Sequence, residues 1–173
     1  MPNEMKINKD LIISDTNYTL EQVKKNARND WACLALNDIG TEPTYINVKH
    51  NGTVPMNYKY IVGDKLTPSG QGIRIGAGVK TVAVSITFET RWNSATGKPC
   101  GVYICKNGSQ LNVGARCEVR YIRYYSQVYS VGSRTVLIPV NEGDILTLLF
   151  QGDTAMDINN GTGFTVQVVE YTD

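Results

Sequence analysis

Along most of the chain, apolar and polar positions alternate with a period of two. The clearest run is "TVAVSITFET", in which Val82, Val84, Ile86 and Phe88 share one face and Ala83, Ser85, Thr87 and Glu89 the other. Strict alternation predicts a half-buried strand of an antiparallel sheet, one face toward a core and one toward water. Shorter runs rich in Val, Ile, Thr and Tyr follow the same logic: "TYINV", "NYKYIV", "GIRIG", "GVYICK", "NVGARCEVRYIRYYSQVYSV", "SRTVLIPV", "DILTLLF" and "GFTVQVVEY". Between them stand "HNGT", "KNGS", "NEGD" and "NNGTG", whose Asn and Gly residues tolerate positive φ and so predict tight turns. "GDKLTPSGQG" reads as an interior loop, and "GIRIGAG" beyond it as a bent or bulged strand.

Only the N-terminal segment departs from this pattern. In "NYTLEQVKKNARNDW", Thr19 and Gln22 form a capping box with Tyr18 and Val23 at the staple positions, predicting a short helix from about Leu20 to Arg28. Its apolar stripe of Leu20, Val23 and Ala27 is too short for a coiled coil. The chain therefore divides into a segment over 1–30, with a short helix for attachment or packing, and an all-β head over 31–173 built from two antiparallel sheets.

Composition narrows the partners. A chain of 173 residues with 42% hydrophobic content can bury a real core. Its 17 Lys+Arg against 16 Asp+Glu supply no global attraction for nucleic acid or an anionic membrane. "MPNEMKINKD" lacks the basic start and apolar run of a secretory signal, and no stretch reaches the length of a membrane span. Cys33, Cys100, Cys105 and Cys117 show no paired spacing and are expected as free thiols.

Catalytic chemistry finds little footing. The one histidine, His50, sits in the turn context "KHNGT" and reads as solvated. "GQGIRIGAG" leads into a strand rather than a helix N-terminus, so it lacks the dipole of a phosphate cradle. Paired carboxylates for glycan hydrolysis would have to come from turns such as "NEGD", where Glu142 and Asp144 also serve turn bonding. No cofactor is implied. A weak calcium candidate lies in "DTAMDINNGTG", with Asp153, Asp157 and Asn159 as oxygen ligands, although it lacks the closing Glu and flanking helices of the helix-loop-helix cation site.

The strongest interaction signal is "RYIRYYSQVY". Read as one strand, it puts Tyr121, Arg123, Tyr125, Gln127 and Tyr129 on one face and Arg120, Ile122, Tyr124, Ser126 and Val128 on the other. Tyr and Arg are enriched at protein interfaces, and the same residues can stack on sugars or single-stranded nucleic acid. Candidate binding or subunit-contact residues are thus Arg120, Tyr121, Arg123, Tyr124, Tyr125 and Tyr129. Trp31 and Trp92 can each be a core anchor or a sugar platform. Between Asn141 and Asp173 the chain holds six acids and no Lys or Arg, an acidic third that could meet the basic band within or between subunits.

The stretches "GIRIGAGVKTVAVSITF", "VYICKNGSQ", "LIPVNEGDILTLLF" and "GFTVQVVEY" together resemble the jelly-roll modules of complement globular heads and tumour necrosis factor, as these occur in bacteriophage tail, baseplate and head-fibre proteins. The opening "KDLIISDTNYTLEQVKKN" is similar to N-terminal segments of structural proteins from phages of Gram-positive hosts. The resemblance implies a jelly-roll head, a homotrimer with aromatic residues along the central contact, a place on the virion among other structural proteins, and host attachment through a surface glycan or protein. It implies no enzyme. A monomeric carbohydrate-binding module and a carboxylate-based glycan hydrolase are the competing readings.

Overall fold

The computed structural model describes residues 12–13, 16–17, 29–36, 45–91, 99–111, 118–122, 129–152 and 155–172. The helix expected over Leu20–Arg28 lies outside these residues. Ahead of it, β1 (Ile12–Ile13) and β2 (Thr16–Asn17) pair antiparallel.

Thirteen further strands build two antiparallel sheets. One contains β6 (Leu66–Ser69), β7 (Gly72–Ile75), β9 (Pro99–Lys106), β10 (Ser109–Gln110), β11 (Glu118–Ile122) and β13 (Ile145–Gly152). Its order is β6-β7-β13-β9, with β10 and β11 sharing the far edge of β9. The other contains β3 (Trp31–Ala35), β4 (Tyr45–Val48), β5 (Tyr58–Val62), β8 (Val79–Arg91), β12 (Tyr129–Pro139), β14 (Met156–Asn159) and β15 (Gly163–Tyr171). Here β8 is central, with β12 along one edge and β15 followed by β14 along the other. β3 and β5 extend the sheet beyond β15, and β4 lies beyond β14.

The alternation read from the sequence becomes the core. Val82, Val84, Ile86 and Phe88 of β8 are fully buried, as are Val102 and Ile104 of β9 and Leu146, Leu148 and Phe150 of β13. Phe88 and Phe150 meet with ring centroids 6.2 Å apart and planes tilted by 45°. Each side chain of this size stabilises the fold by roughly 1.5–3 kcal/mol through burial.

Turn chemistry fixes register. The "KNGS" hairpin joins β9 to β10 with Lys106 opposite Ser109, leaving Asn107 (φ 54°) and Gly108 (φ 79°) as the two central residues. Positive φ at both is the I′ geometry whose twist matches that of paired strands. "NNGTG" turns instead through Thr162 N–H to Asn159 C=O at 2.9 Å, with no positive φ.

Three sequence expectations need correction. "GDKLTPSGQG" is not a loop throughout, because it holds β6 and the start of β7, which close into a tight hairpin with Ser69 opposite Gly72 and Gly70 at φ 56°. "YSV" and "SRTVLIP" are one strand, because the ladder runs unbroken through Gly132, opposite Phe88. "RYIRYYSQVY" is not one strand: it starts in β11 of the six-stranded sheet and ends in β12 of the seven-stranded sheet. Period two along the sequence cannot see a change of sheet.

Candidate functional site

That division places the two ends of the Tyr/Arg band on different strands. Arg120 and Tyr121 lie on β11, opposite Gly101 and Cys100, while Tyr129 opens β12 opposite Arg91. Arg123, Tyr124 and Tyr125 lie outside the described residues. Of the calcium candidate, Asp157 and Asn159 lie two residues apart on β14. Asp153 is outside the described residues; Asp157 is in β14 and accepts from Asn47 Nδ2 at 2.9 Å. Buried Asn159 donates to Glu89 Oε1 at 2.6 Å and accepts from the Asn160 N–H at 2.7 Å. Its oxygen is already engaged in shaping the turn. Among the described residues no group of three or more His, Cys, Asp or Glu converges.

Other singled-out groups serve the scaffold. His50 is exposed, its Nδ1 2.5 Å from the Gly152 carbonyl oxygen. Cys33 and Cys105 are free thiols whose pKa burial raises, and Cys100 is buried. Cys117 lies outside the described residues. In the acidic third, among the described residues, Glu170 pairs with Lys80 at 2.7 Å and Asp144 with Lys106 at 3.6 Å. Burial opposes ionisation of Asp144, but the Asn141 N–H, the Asn107 amide and Lys106 outweigh it and hold the carboxyl below its usual range. For Glu170, hydrogen bonds from Lys80 and Thr81 do the same.

A different surface emerges from strand register. On the outer face of the seven-stranded sheet, Leu137, Ala83, Gln167, Trp31 and Val62 form one cross-strand row. Thr135, Ser85, Thr165, Cys33 and Tyr60 form the next, with Thr135 and Ser85 sharing a 2.8 Å hydroxyl bond. Ser133, Thr87, Gly163, Ala35 and Tyr58 form the third. None of these rows carries a charge. Charge returns at the margins, with Glu89 beside Val131 at one end and Lys80 with Glu170 at the other.

This face also collects exposed apolar mass. The exposed large hydrophobics among the described residues are Tyr60 (51%), Val131 (66%), Leu137 (64%) and Val169 (49%), and all four belong to this sheet. Trp31 and Tyr60 pack ring against ring, centroids 5.3 Å apart. An uncharged, aromatic-bearing centre with a charged margin has the anatomy of a protein contact, able to exclude water without desolvating ions.

Sequence reasoning missed β3, and with it this face. "WACLA" shows little alternation because Ala32, Leu34 and Leu36 are buried inward while outward Trp31, Cys33 and Ala35 are not polar. The usable signal was the lack of Lys and Glu at the outward positions of several strands, which becomes visible only once register aligns them.

No protein-family model matches the chain, and no curated protein matches it significantly. Solved structures do. Murine APRIL at pH 5.0 is 13% identical with a TM-score of 0.54, the match covering 82% of this chain and 100% of that one. The Eiger TNF of S. frugiperda is 8% identical with a TM-score of 0.59, over 84% of this chain and 96% of that one. The globular domain of zebrafish complement 1qA is 9% identical with a TM-score of 0.55, over 83% and 99%. At such identities the likeness establishes the fold: the chain is a jelly-roll sandwich of the kind seen in tumour necrosis factor and complement globular heads.

Proposed function

We propose that the chain is a non-enzymatic recognition head that works as a homotrimer. The observation that carries this reading is the fold, which is similar to compact tumour necrosis factor and complement heads over 82–84% of the chain. Heads of this architecture typically assemble in threes and present loops to a receptor. The uncharged sheet face supports self-association, since two copies can meet there without burying like charges.

The placement on a virion, made in the host cytoplasm and then exposed on the particle, rests on the sequence resemblance of "KDLIISDTNYTLEQVKKN" to phage structural proteins. On that reading the partner beyond the trimer is a host-surface glycan or protein. Light scattering on the full chain at two protein and two salt concentrations tests the assembly. A mass near three times 19.1 kDa supports the trimer, and a mass near 19.1 kDa across the micromolar range overturns it.

One observation favours a second reading. Paired rings such as Trp31 and Tyr60 on an open sheet can also stack on a pyranose, the arrangement a monomeric carbohydrate-binding module would use. Glycan retention by a single-copy species would select it.

A further inference from the structure

We infer that the end of the last strand, Val169 to Thr172, is an acid-released strap: clasped at two carboxylates, Asp30 and Glu170, it detaches as a unit when they are protonated, while the sandwich behind it stays folded. The strap and both clasps lie within one copy of the chain, so the inference stands apart from the assembly reading.

The strap differs from the strand it continues. β15 pairs with β3 only from Gly163 to Gln167, and one further bond, from the Val168 N–H to the Asp30 C=O at 2.9 Å, follows on that side. On the other side the ladder with β8 runs regularly to Val168 opposite Val82, then breaks on both sides of Glu170. Breaks of this kind re-aim side chains. Val166 and Val168 are buried, so regular alternation would send residue 170 inward; instead Glu170 is exposed and Tyr171 packs against the core. Val169 and Thr172 are exposed as well. A segment whose one core contact is a single ring belongs to the low-stability end of a molecule and opens by itself more readily than the sheet behind it.

Two clasps compensate, and both end on a carboxylate. Tyr171 Oη donates to Asp30 Oδ2 at 2.6 Å, reaching the entry of β3, while Asp30 Oδ1 accepts the Asp64 and Lys65 N–H groups of the β5–β6 turn at 2.8 and 3.1 Å. Glu170 Oε1 pairs with Lys80 Nζ at 2.7 Å, and Oε2 accepts from Thr81 Oγ1 at 2.6 Å, both partners on β8. The Thr172 N–H adds a backbone bond to the Gly78 C=O at 2.8 Å. Bonds to an ionised acceptor are roughly twice as strong as neutral ones, so the hold depends on the two negative charges.

Acid acts on both clasps in the same direction. Asp30 is faced by Tyr171 from β15 and by Asp64 and Lys65 from the turn, and Glu170 by Lys80 and Thr81 from β8. The lysines keep their charge in acid, so protonation removes only the carboxylate half of each contact. Burial opposes ionisation of Asp30, but its partners outweigh it, and Lys80 and Thr81 lower Glu170 directly. A carboxylate held below its ordinary range in the closed form favours closure at neutral pH, and that support is lost as pH falls through the closed-form value. Because Asp30 immediately precedes β3, release loosens the joint at which the chain enters the head, beside Trp31.

Amide NMR on the full chain tests this, reading the strap at the Thr172, Asp64 and Lys65 N–H groups and the sandwich at Val84 and Ile86 on the central strand β8. Wild type is followed from pH 7 to 3, and the double variant Tyr171→Phe/Glu170→Gln is read at pH 7. In wild type the strap signals should leave their native positions below about pH 4 while the β8 signals keep theirs. In the double variant the Thr172 signal should already be displaced at pH 7 with β8 native. Loss of strap and β8 signals in one transition, or strap signals that stay native down to pH 3, overturns the inference. So does a double variant that keeps the native Thr172 position, or one that fails to fold at pH 7.

Discussion

The phenol of Tyr171 donates a 2.6 Å hydrogen bond to the buried carboxylate of Asp30, joining residues 141 positions apart. Asp30 Oδ1 meanwhile accepts the Asp64 and Lys65 N–H groups at 2.8 and 3.1 Å, and its carbonyl oxygen accepts the Val168 N–H at 2.9 Å. One side chain therefore ties the entry of β3 to the β5–β6 turn and to the last strand. Gly63 is part of the fit: at φ 87°, a Cβ there would stand 1.9 Å from Asp30 Oδ1. Removing the phenol oxygen in Tyr171→Phe deletes a bond to a charged acceptor, so a loss of about 1.5–3 kcal/mol is expected in urea unfolding, with the sheet intact by circular dichroism.

Acid should weaken the fold through the same group. Burial of Asp30 opposes ionisation, but Tyr171, the Lys65 and Asp64 N–H groups and the Lys65 charge outweigh it and lower its pKa from 3.8. Asp144 is lowered from the same value for parallel reasons. A carboxylate with a depressed folded pKa contributes stability that is present above its unfolded pKa and lost as pH falls through the folded value. Unfolding midpoints should hold flat with respect to these two groups from pH 7 to about 5, then drop below about pH 4. Asp30→Asn should start lower at pH 7 and lose less on acidification. A wild-type midpoint unchanged at pH 3 would contradict the assignment.

Asn107 carries two loads at one turn. It holds φ 54° in the I′ hairpin, and its side chain donates to Asp144 Oδ1 at 2.7 Å and accepts the Ile145 N–H at 2.8 Å. Alanine loses both bonds and tolerates the left-handed backbone poorly, so Asn107→Ala should cost about 2–3 kcal/mol. Asn107→Gly keeps the backbone freedom and should cost less. Equal losses in the two variants would mean that the side-chain bonds do nothing for stability.

A close backbone approach makes Gly163 intolerant. A Cβ at this position would lie 2.2 Å from the Leu34 carbonyl oxygen, a backbone atom of the paired strand that cannot swing away. Gly143, at φ 86°, has open space around it and resists substitution only through its backbone. Gly163→Ala should therefore lower the melting temperature more than Gly143→Ala, by a margin on the order of 1–2 kcal/mol at equal denaturant.

Phe88 and Phe150 face one another across the two sheets, and both are fully buried. Either change to Ala should cost about 3–5 kcal/mol. Because the rings share one contact, the double variant should cost less than the two single losses added together, a coupling that a double-mutant cycle reads directly.

Much of the sandwich was legible in advance because the information was local. Period two in "TVAVSITFET" put Val82, Val84, Ile86 and Phe88 inside, and "KNGS" placed Asn107 and Gly108 where only a left-handed turn closes the hairpin. These signals depend on neighbours along the chain. The strand β3 escaped because its outward residues are not polar, and the "RYIRYYSQVY" stretch misled because nothing in ten residues announces that one end joins a different sheet.

The sequence by itself determined the all-β class, the central strand with its core face and the turns that punctuate the chain, since alternation and positive-φ residues act over a few positions. Only the tertiary structure decided which residues share a surface. Leu137, Ser85, Thr165 and Tyr60 come from four strands and are far apart in sequence, yet register sets them on one uncharged face. Tyr171 finds Asp30 in the same way. Register is settled by hydrogen bonding between strands and by burying both inner faces together, and no single segment carries that information.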